Sequence, residues 1–167
     1  MMKRGLGKYI VIVLLALSAF TVNYWLVDQV QRNQNPQKEA SEHEEFLVIR
    51  VIDGDTILLE NGQVIRYLGV DTPEINHCFA KEATQENQEL VLGKLVKLEK
   101  DITQKDDYGR LLRYVWVNNQ MINQILLNNG FGKKLLIPPD LKYRDLFSSA
   151  QEYAQENNLG LWEKCAN

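Results

Sequence analysis

Cysteine and histidine are scarce in this 167-residue chain, at two each. Two cysteines cannot build the dense disulfide framework of a small secreted domain, nor a four-thiolate zinc site. With imidazoles equally few, any metal is expected on oxygen ligands. Four prolines and ten glycines exclude collagenous and low-complexity architecture. Acidic residues are absent before Asp28, whereas Lys3, Arg4 and Lys8 precede it. From Asp28 onward 16 Lys and Arg face 22 Asp and Glu, a net charge of −6. A protein that coats nucleic acid stoichiometrically shows a basic face and a high pI, so that class is excluded. A phosphate-rich substrate would need local arginines or a bound cation.

What the chain does have is an ordinary globular balance, 45% hydrophobic and 25% charged. Its long apolar run comes first. Tyr9–Val27 holds no charge and follows the three basic residues, as a transmembrane segment would. Residues 1–27 are therefore expected to form a signal anchor, with Tyr24 and Trp25 at the outer interface and the basic end kept cytoplasmic. The alternative is a cleaved signal peptide, with Ala16 and Ser18 as small residues near the cleavage point. Apolarity continuing through Trp25, Leu26 and Val27 favours the anchor. Residues 28–45 are polar, contain Pro36, and read as a flexible linker. The folded domain is expected over 46–167, long enough to bury a proper core.

Within that domain Phe46–Ile52 reads as a strand. Thr56–Glu60 and Gln63–Val70 read as a hairpin closed by a two-residue Asn61-Gly62 turn. Cys78–Leu92 is expected to be a helix ended by Gly93. Lys94–Ile102 and Leu111–Val117 are further strands, and Ile122–Asn129 is a short helix before Gly130. Tyr143–Asn157 sets Leu146, Phe147, Ala150, Tyr153 and Ala154 on one helical stripe. The class is α+β, mainly β: five strands, enough for a small closed barrel, flanked by three helices.

Three stretches point to chemistry. Val51–Thr56 reads VIDGDT, Ile65–Glu74 reads IRYLGVDTPE, and Asp106–Val117 opens with DDYGR. Each also has a plain reading: an Asp-Gly turn, a Pro-started helix and a Tyr-Gly turn with solvent-facing arginines. The two-residue turn would set Ile57 opposite Arg66 and Asp55 opposite Leu68. Asp55 and Arg66 would then be diagonal neighbours roughly 7–8 Å apart, with room for a phosphate or metal between them. Bringing Asp71 to the same site requires a bend near Gly69. Two carboxylates with a carbonyl or hydroxyl offer hard oxygens to Ca²⁺. Two arginines can grip phosphate oxygens, and a third carboxylate can act on water.

In that order and spacing, these motifs resemble the thermonuclease (staphylococcal nuclease-like) family from about Phe46 to Trp162, including the terminal Gly160–Trp162. The resemblance implies an OB-fold barrel with three helices, preceded here by the N-terminal transmembrane or signal helix. It also implies Ca²⁺-dependent hydrolysis of DNA and RNA that leaves 3′-phosphate ends. Asp55 and Asp71 match the family's metal carboxylates, and Thr72 the residue whose backbone carbonyl joins them. Glu74 matches the carboxylate assigned to the attacking water, and Arg66 and Arg110 the phosphate-gripping arginines. Asp53 stands behind the metal site, and Gly54 belongs to its tight turn. Two departures concern substrate holding. Asp107 stands where the archetype has a basic residue, and Leu135–Pro139 replaces its tyrosines. Lys133, Lys134, Lys142 and Arg144 are candidate phosphate contacts, with solvated surface charge as the alternative.

His43 and His77 lack partners at metal spacing, and Trp116 and Trp162 read as core. The expected protein is an exported, membrane-held nuclease, or a secreted one if the signal is cleaved. A non-catalytic surface OB module that binds nucleic acid or protein is the alternative, but a pure binder has no reason to keep the full carboxylate–arginine set. In an oxidising exported setting Cys78 and Cys165 are expected to pair, two separate thiols being the other possibility.

Overall fold

The computed structural model describes residues 44–165. The expected anchor over 1–27, most of the linker and His43 lie outside them. Among the described residues no helix is long and apolar enough to cross a membrane.

Strand β1 spans Glu45–Asp53, β2 Thr56–Leu59, β3 Val64–Tyr67 and β4 Gly69–Asp71. Helix α1 spans Ala80–Val91, followed by β5 (Leu95–Glu99), β6 (Leu111–Val117) and β7 (Gln120–Met121). Then come α2 (Ile122–Asn128), β8 (Lys133–Leu135), α3 (Arg144–Glu156) and α4 (Leu161–Lys164). β1 serves two neighbours: its first residues pair with β5 and its later ones with β2. Register shifts between Val48 and Arg50 and between Val51 and Asp53 let it turn from one to the other. β2 pairs with β3, β5 with β6, and a parallel β3–β6 ladder closes the ring. The outcome is a closed five-stranded barrel, as expected, in a mainly β domain.

Val48, Ile57, Leu59, Ile65, Val96 and Val115 are fully buried in it. Burying each such side chain favours folding by roughly 1.5–3 kcal/mol. On α3, Phe147, Ala150 and Ala154 form the buried stripe. Leu146 and Tyr153, expected on that stripe, are 36% and 50% exposed. Each precedes a buried position by one residue and so sits about 100° around the helix.

The hairpin differs from expectation by one residue. Its loop has three residues: the Leu59 N–H donates to the Gln63 carbonyl at 3.0 Å, and the Asn61 side chain accepts from the Gln63 N–H at 3.0 Å. Thr56 therefore faces Arg66, and Ile57 faces Ile65. The shift has a physical reason. Ile57 and Ile65 share the core face in this register, whereas the two-residue turn would oppose Ile57 to a guanidinium.

α1 starts two residues later than expected, because Phe79 takes a left-handed conformation (φ 71°) just before it. The expected strand over Lys94–Ile102 shortens to Leu95–Glu99. β7, β8 and α4 have two, three and four residues, too short for any periodicity to announce them. The expected pairing of Cys78 with Cys165 is present, as a disulfide with Cα atoms 5.9 Å apart.

Candidate active site

The β1–β2 turn sets the first carboxylate. Asp53 Oδ1 accepts the Asp55 N–H at 3.1 Å, closing a turn that points the Asp55 side chain inward. A Cβ on Gly54 would lie 2.6 Å from Thr72 Oγ1, so only glycine lets the two segments approach. Asp55 is 4% exposed and fully engaged. Its Oδ2 accepts the Thr72 N–H at 2.7 Å and the Thr72 hydroxyl at 3.0 Å. Its Oδ1 pairs with Arg66 Nε at 3.1 Å and accepts the Thr56 hydroxyl at 3.2 Å. Burial pushes the Asp55 carboxyl up to about 6, against the lowering pull of Arg66 and the Thr72 N–H.

Direct contact replaces the expected 7–8 Å gap, so no phosphate or metal fits between Asp55 and Arg66. The reason is that Asp55 belongs to the turn, outside the β2–β3 ladder. Of its backbone, the carbonyl is tied to β3, accepting the Tyr67 N–H at 2.9 Å. Its side chain is free to reach across to the guanidinium.

The bend expected near Gly69 is where the barrel wall breaks. β3 ends at Tyr67, Gly69 adopts φ +74°, and β4 leaves to pair with β8. A Cβ on Gly69 would strike the Phe147 ring at 2.3 Å. Asn123 of α2, fully buried, fastens the bend: it donates to the Leu68 carbonyl at 2.9 Å and accepts the Val115 N–H at 2.8 Å. Arg66 spans the break, with Nη1 donating to the carbonyls of Tyr67 (2.8 Å) and Val70 (2.6 Å). Its Nη2 reaches Asp71 Oδ1 at 3.0 Å. Asp55 and Asp71 thus meet on one guanidinium, and the Asp71 side chain is 52% exposed.

Arg110 is held by its own turn. Asp106 Oδ1 accepts the N–H groups of Tyr108 (3.0 Å) and Arg110 (2.9 Å), while Oδ2 accepts Arg110 Nε at 2.6 Å. Burial would raise the Asp106 carboxyl, but these bonds and the Arg110 charge outweigh it and hold it below the usual range. The Arg110 guanidinium lies 5.4 Å from the Tyr108 ring centroid. The signal for Asp106 in the sequence is its place four residues before Arg110, within DDYGR. Arg66 and Arg110 line one cleft of about 400 Å³, with Lys105, Asp107, Leu135 and Ile137 on its other walls. A larger open hollow of about 900 Å³ lies between Ile75 and α1, but it is lined by neither arginine and neither site aspartate. The two arginines meet in the smaller one, and the aspartates join it through Arg66.

Other sequence candidates stand apart. Glu74 is exposed, in a turn closed by the His77 N–H on the Glu74 carbonyl at 2.9 Å. Among the described residues its carboxylate joins no ion pair or hydrogen bond with the site. Lys133 is paired across from Asp71 in the β4–β8 ladder, with its Nζ 5.7 Å from the Trp162 ring centroid. Lys134 is directed to α3 and donates to Ser148 Oγ at 3.0 Å. Lys142 pairs with Glu99, and Arg144 with Asp145. His77 is exposed. Trp116 and Trp162 are half-buried; Trp116 packs against the edge of the core and its indole donates to Glu99 Oε2 at 2.9 Å, whereas Trp162 lies outside the core cluster.

A cation suits the donor set. Asp55, Asp71 and the Thr72 carbonyl are all hard oxygens. Two carboxylates share one guanidinium, which leaves the cluster net negative. Among the described residues no three His, Cys, Asp or Glu side chains group to hold a metal ion by themselves. Water and substrate oxygens would have to complete the shell, as they do around ions that act on phosphates.

The family model for staphylococcal nuclease homologues matches residues 64–164. Thermonuclease of Staphylococcus intermedius is 38% identical over 151 residues, covering 83% of this chain and 90% of that protein. Thermonuclease of Staphylococcus hyicus is 34% identical over 147 residues, with 80% and 87% covered. Endonuclease YncB of Bacillus subtilis (strain 168) is 35% identical over 150 residues, with 79% and 71% covered. Barrel, arginine cleft and relatives together define the class, a hydrolase of the endonuclease type. Within that class the chain belongs to the staphylococcal nuclease family.

Proposed function

We propose that this chain is an exported, Ca²⁺-dependent nuclease that hydrolyses phosphodiester bonds of DNA and RNA and leaves 3′-phosphate ends. The observation that carries the reading is a single one. Arg66, lining the same cleft as Arg110, also grips both Asp55 and Asp71. A phosphate entering that cleft meets two planar guanidinium groups, one fastened by Asp106 and the other by Asp55 and backbone carbonyls. Both donors are thus in position before charge builds on the phosphate oxygens. Asp55, Asp71 and the Thr72 carbonyl would hold Ca²⁺. When bound, the cation neutralises charge on the phosphate and eases the ionisation of water. Glu74, exposed beyond Asp71, takes the proton of the attacking water. Rupture of the bond to the 5′-oxygen then leaves the phosphate on the 3′ side. Export is supported by the disulfide, which persists in oxidising compartments, and by the apolar segment Tyr9–Val27, as anchor or cleaved signal.

The product ends test this reading. With Ca²⁺, fragments of a single-stranded DNA and of an RNA are expected to carry 5′-hydroxyl and 3′-phosphate ends. Such fragments accept label from polynucleotide kinase without prior phosphatase treatment. Fragments with 5′-phosphate ends would overturn it.

A further inference from the structure

The segment between the site aspartate and α1 is poorly supported by packing. Glu74, Ile75, Asn76, His77 and Cys78 are all exposed, and exposed backbone with few apolar contacts opens readily. Yet the segment holds two non-glycine residues in the left-handed region, Asn76 and Phe79, each at φ 71°. A bulky residue there is an outlier that persists only where its surroundings impose it. Two contacts do so. The Phe79 ring stacks on Phe131 at 5.5 Å between centroids, and Cys78 is bonded to Cys165. The far end of that bond is firm: Cys165 directly follows α4, whose Leu161 is buried and donates its N–H to the Gly130 carbonyl at 2.9 Å. From the same helix Trp162 packs near Lys133, the ladder partner of Asp71. The C-terminal helix is therefore a strut, touching the Glu74 segment through sulfur and the Asp71 ladder through Trp162.

We propose that the Cys78–Cys165 disulfide positions Glu74 for cleavage, so that the redox state of this one bond sets the turnover rate. The proposal rests on the reading of Glu74 as the carboxylate that acts on water. Cys78 is exposed, and so within reach of a dithiol. In the reaction the Sγ–Sγ bond breaks and the two cysteines take up two electrons and two protons. The dithiol supplies them and closes to its own cyclic disulfide. Arg66 lies on β3 and Arg110 in the turn before β6, so substrate holding is spared while the water-activating group loses its place.

The test compares oxidised, dithiothreitol-reduced and reoxidised full-length chain, with and without Glu74→Gln, in Ca²⁺ on a DNA oligonucleotide. Reduction is expected to lower kcat on the order of 10-fold or more with KM unchanged, since an ångström of misplacement can cost that much. Reoxidation restores it. In the Glu74→Gln background reduction should leave the residual kcat unchanged, because the group being positioned is gone. A reduced enzyme that has only lost folded fraction would fall equally in both backgrounds, and that result overturns the proposal. So does an unchanged kcat in the unsubstituted chain. Full activity of oxidised Glu74→Gln would overturn the reading of Glu74 itself, a distinguishable result.

Discussion

Arg66 is the residue on which the site turns, and its contacts explain why lysine cannot replace it. Nε, Nη1 and Nη2 hold Asp55, two backbone carbonyls and Asp71, a planar fork that a point charge cannot reproduce. Arg66→Lys and Arg110→Lys should each lower kcat/KM on the order of 10²-fold, by analogy with deleting one transition-state donor. Steady-state kinetics check this, and near-normal turnover in either variant would contradict the assignment. Asp55 supplies a pH dependence. Burial raises its carboxyl from 3.8 to about 6, so protonation favours the fold. That stabilising contribution is complete below about 4 and is lost as pH rises through about 6. Metal binding runs the other way, because the ligand must be ionised. Calorimetric Ca²⁺ titration should show affinity falling below pH 6, approaching about tenfold per pH unit for one displaced proton. An affinity flat between pH 7 and 5 would remove Asp55 from the metal site.

At the scale of elements, the break between β3 and β4 decides whether Asp71 reaches Arg66. Gly69→Ala forces a side chain into φ +74° and onto the Phe147 ring, and overpacking of that kind costs about 1–3 kcal/mol. Urea denaturation should show the loss, and wild-type stability would show that the bend tolerates a Cβ. That break was legible in the sequence only as a requirement: alternation put Asp71 on the wrong face, and Gly69 was the residue able to bend. β1, β6 and α3 were legible from runs or stripes of apolar residues, and the two-turn α2 from the Gly130 that stops it. The hairpin register was not. Asn61-Gly62 suits both two- and three-residue loops, and the choice is made by Ile57 and Ile65 meeting in the core. The tie between Asp106 and Arg110 is not legible because it depends on a turn whose N–H groups must first close on Asp106 Oδ1. Lys134 was a plausible phosphate contact until Ser148 of α3 took its ammonium.

For the whole molecule, the acidic balance of the chain from Asp28 onward and the small arginine cleft belong together. With a net charge of −6 from Asp28 onward, attraction for polyanions is local, and on the proposed reading a bound cation admits phosphate beside Asp55 and Asp71. Cell fractionation should place the full-length chain with the membrane, its folded part reachable by external protease. Recovery in soluble cytoplasm would refute export, and a chain beginning near Ala19 would favour the cleaved signal. The central claim is that one Ca²⁺-loaded site cuts both nucleic acids. The most direct measurement is the turnover of the full chain on single-stranded DNA and RNA, first with Ca²⁺ and then with excess chelator. The account predicts cleavage of both substrates with Ca²⁺ and its loss from both with chelator. Full activity in chelator, on either substrate, would contradict it.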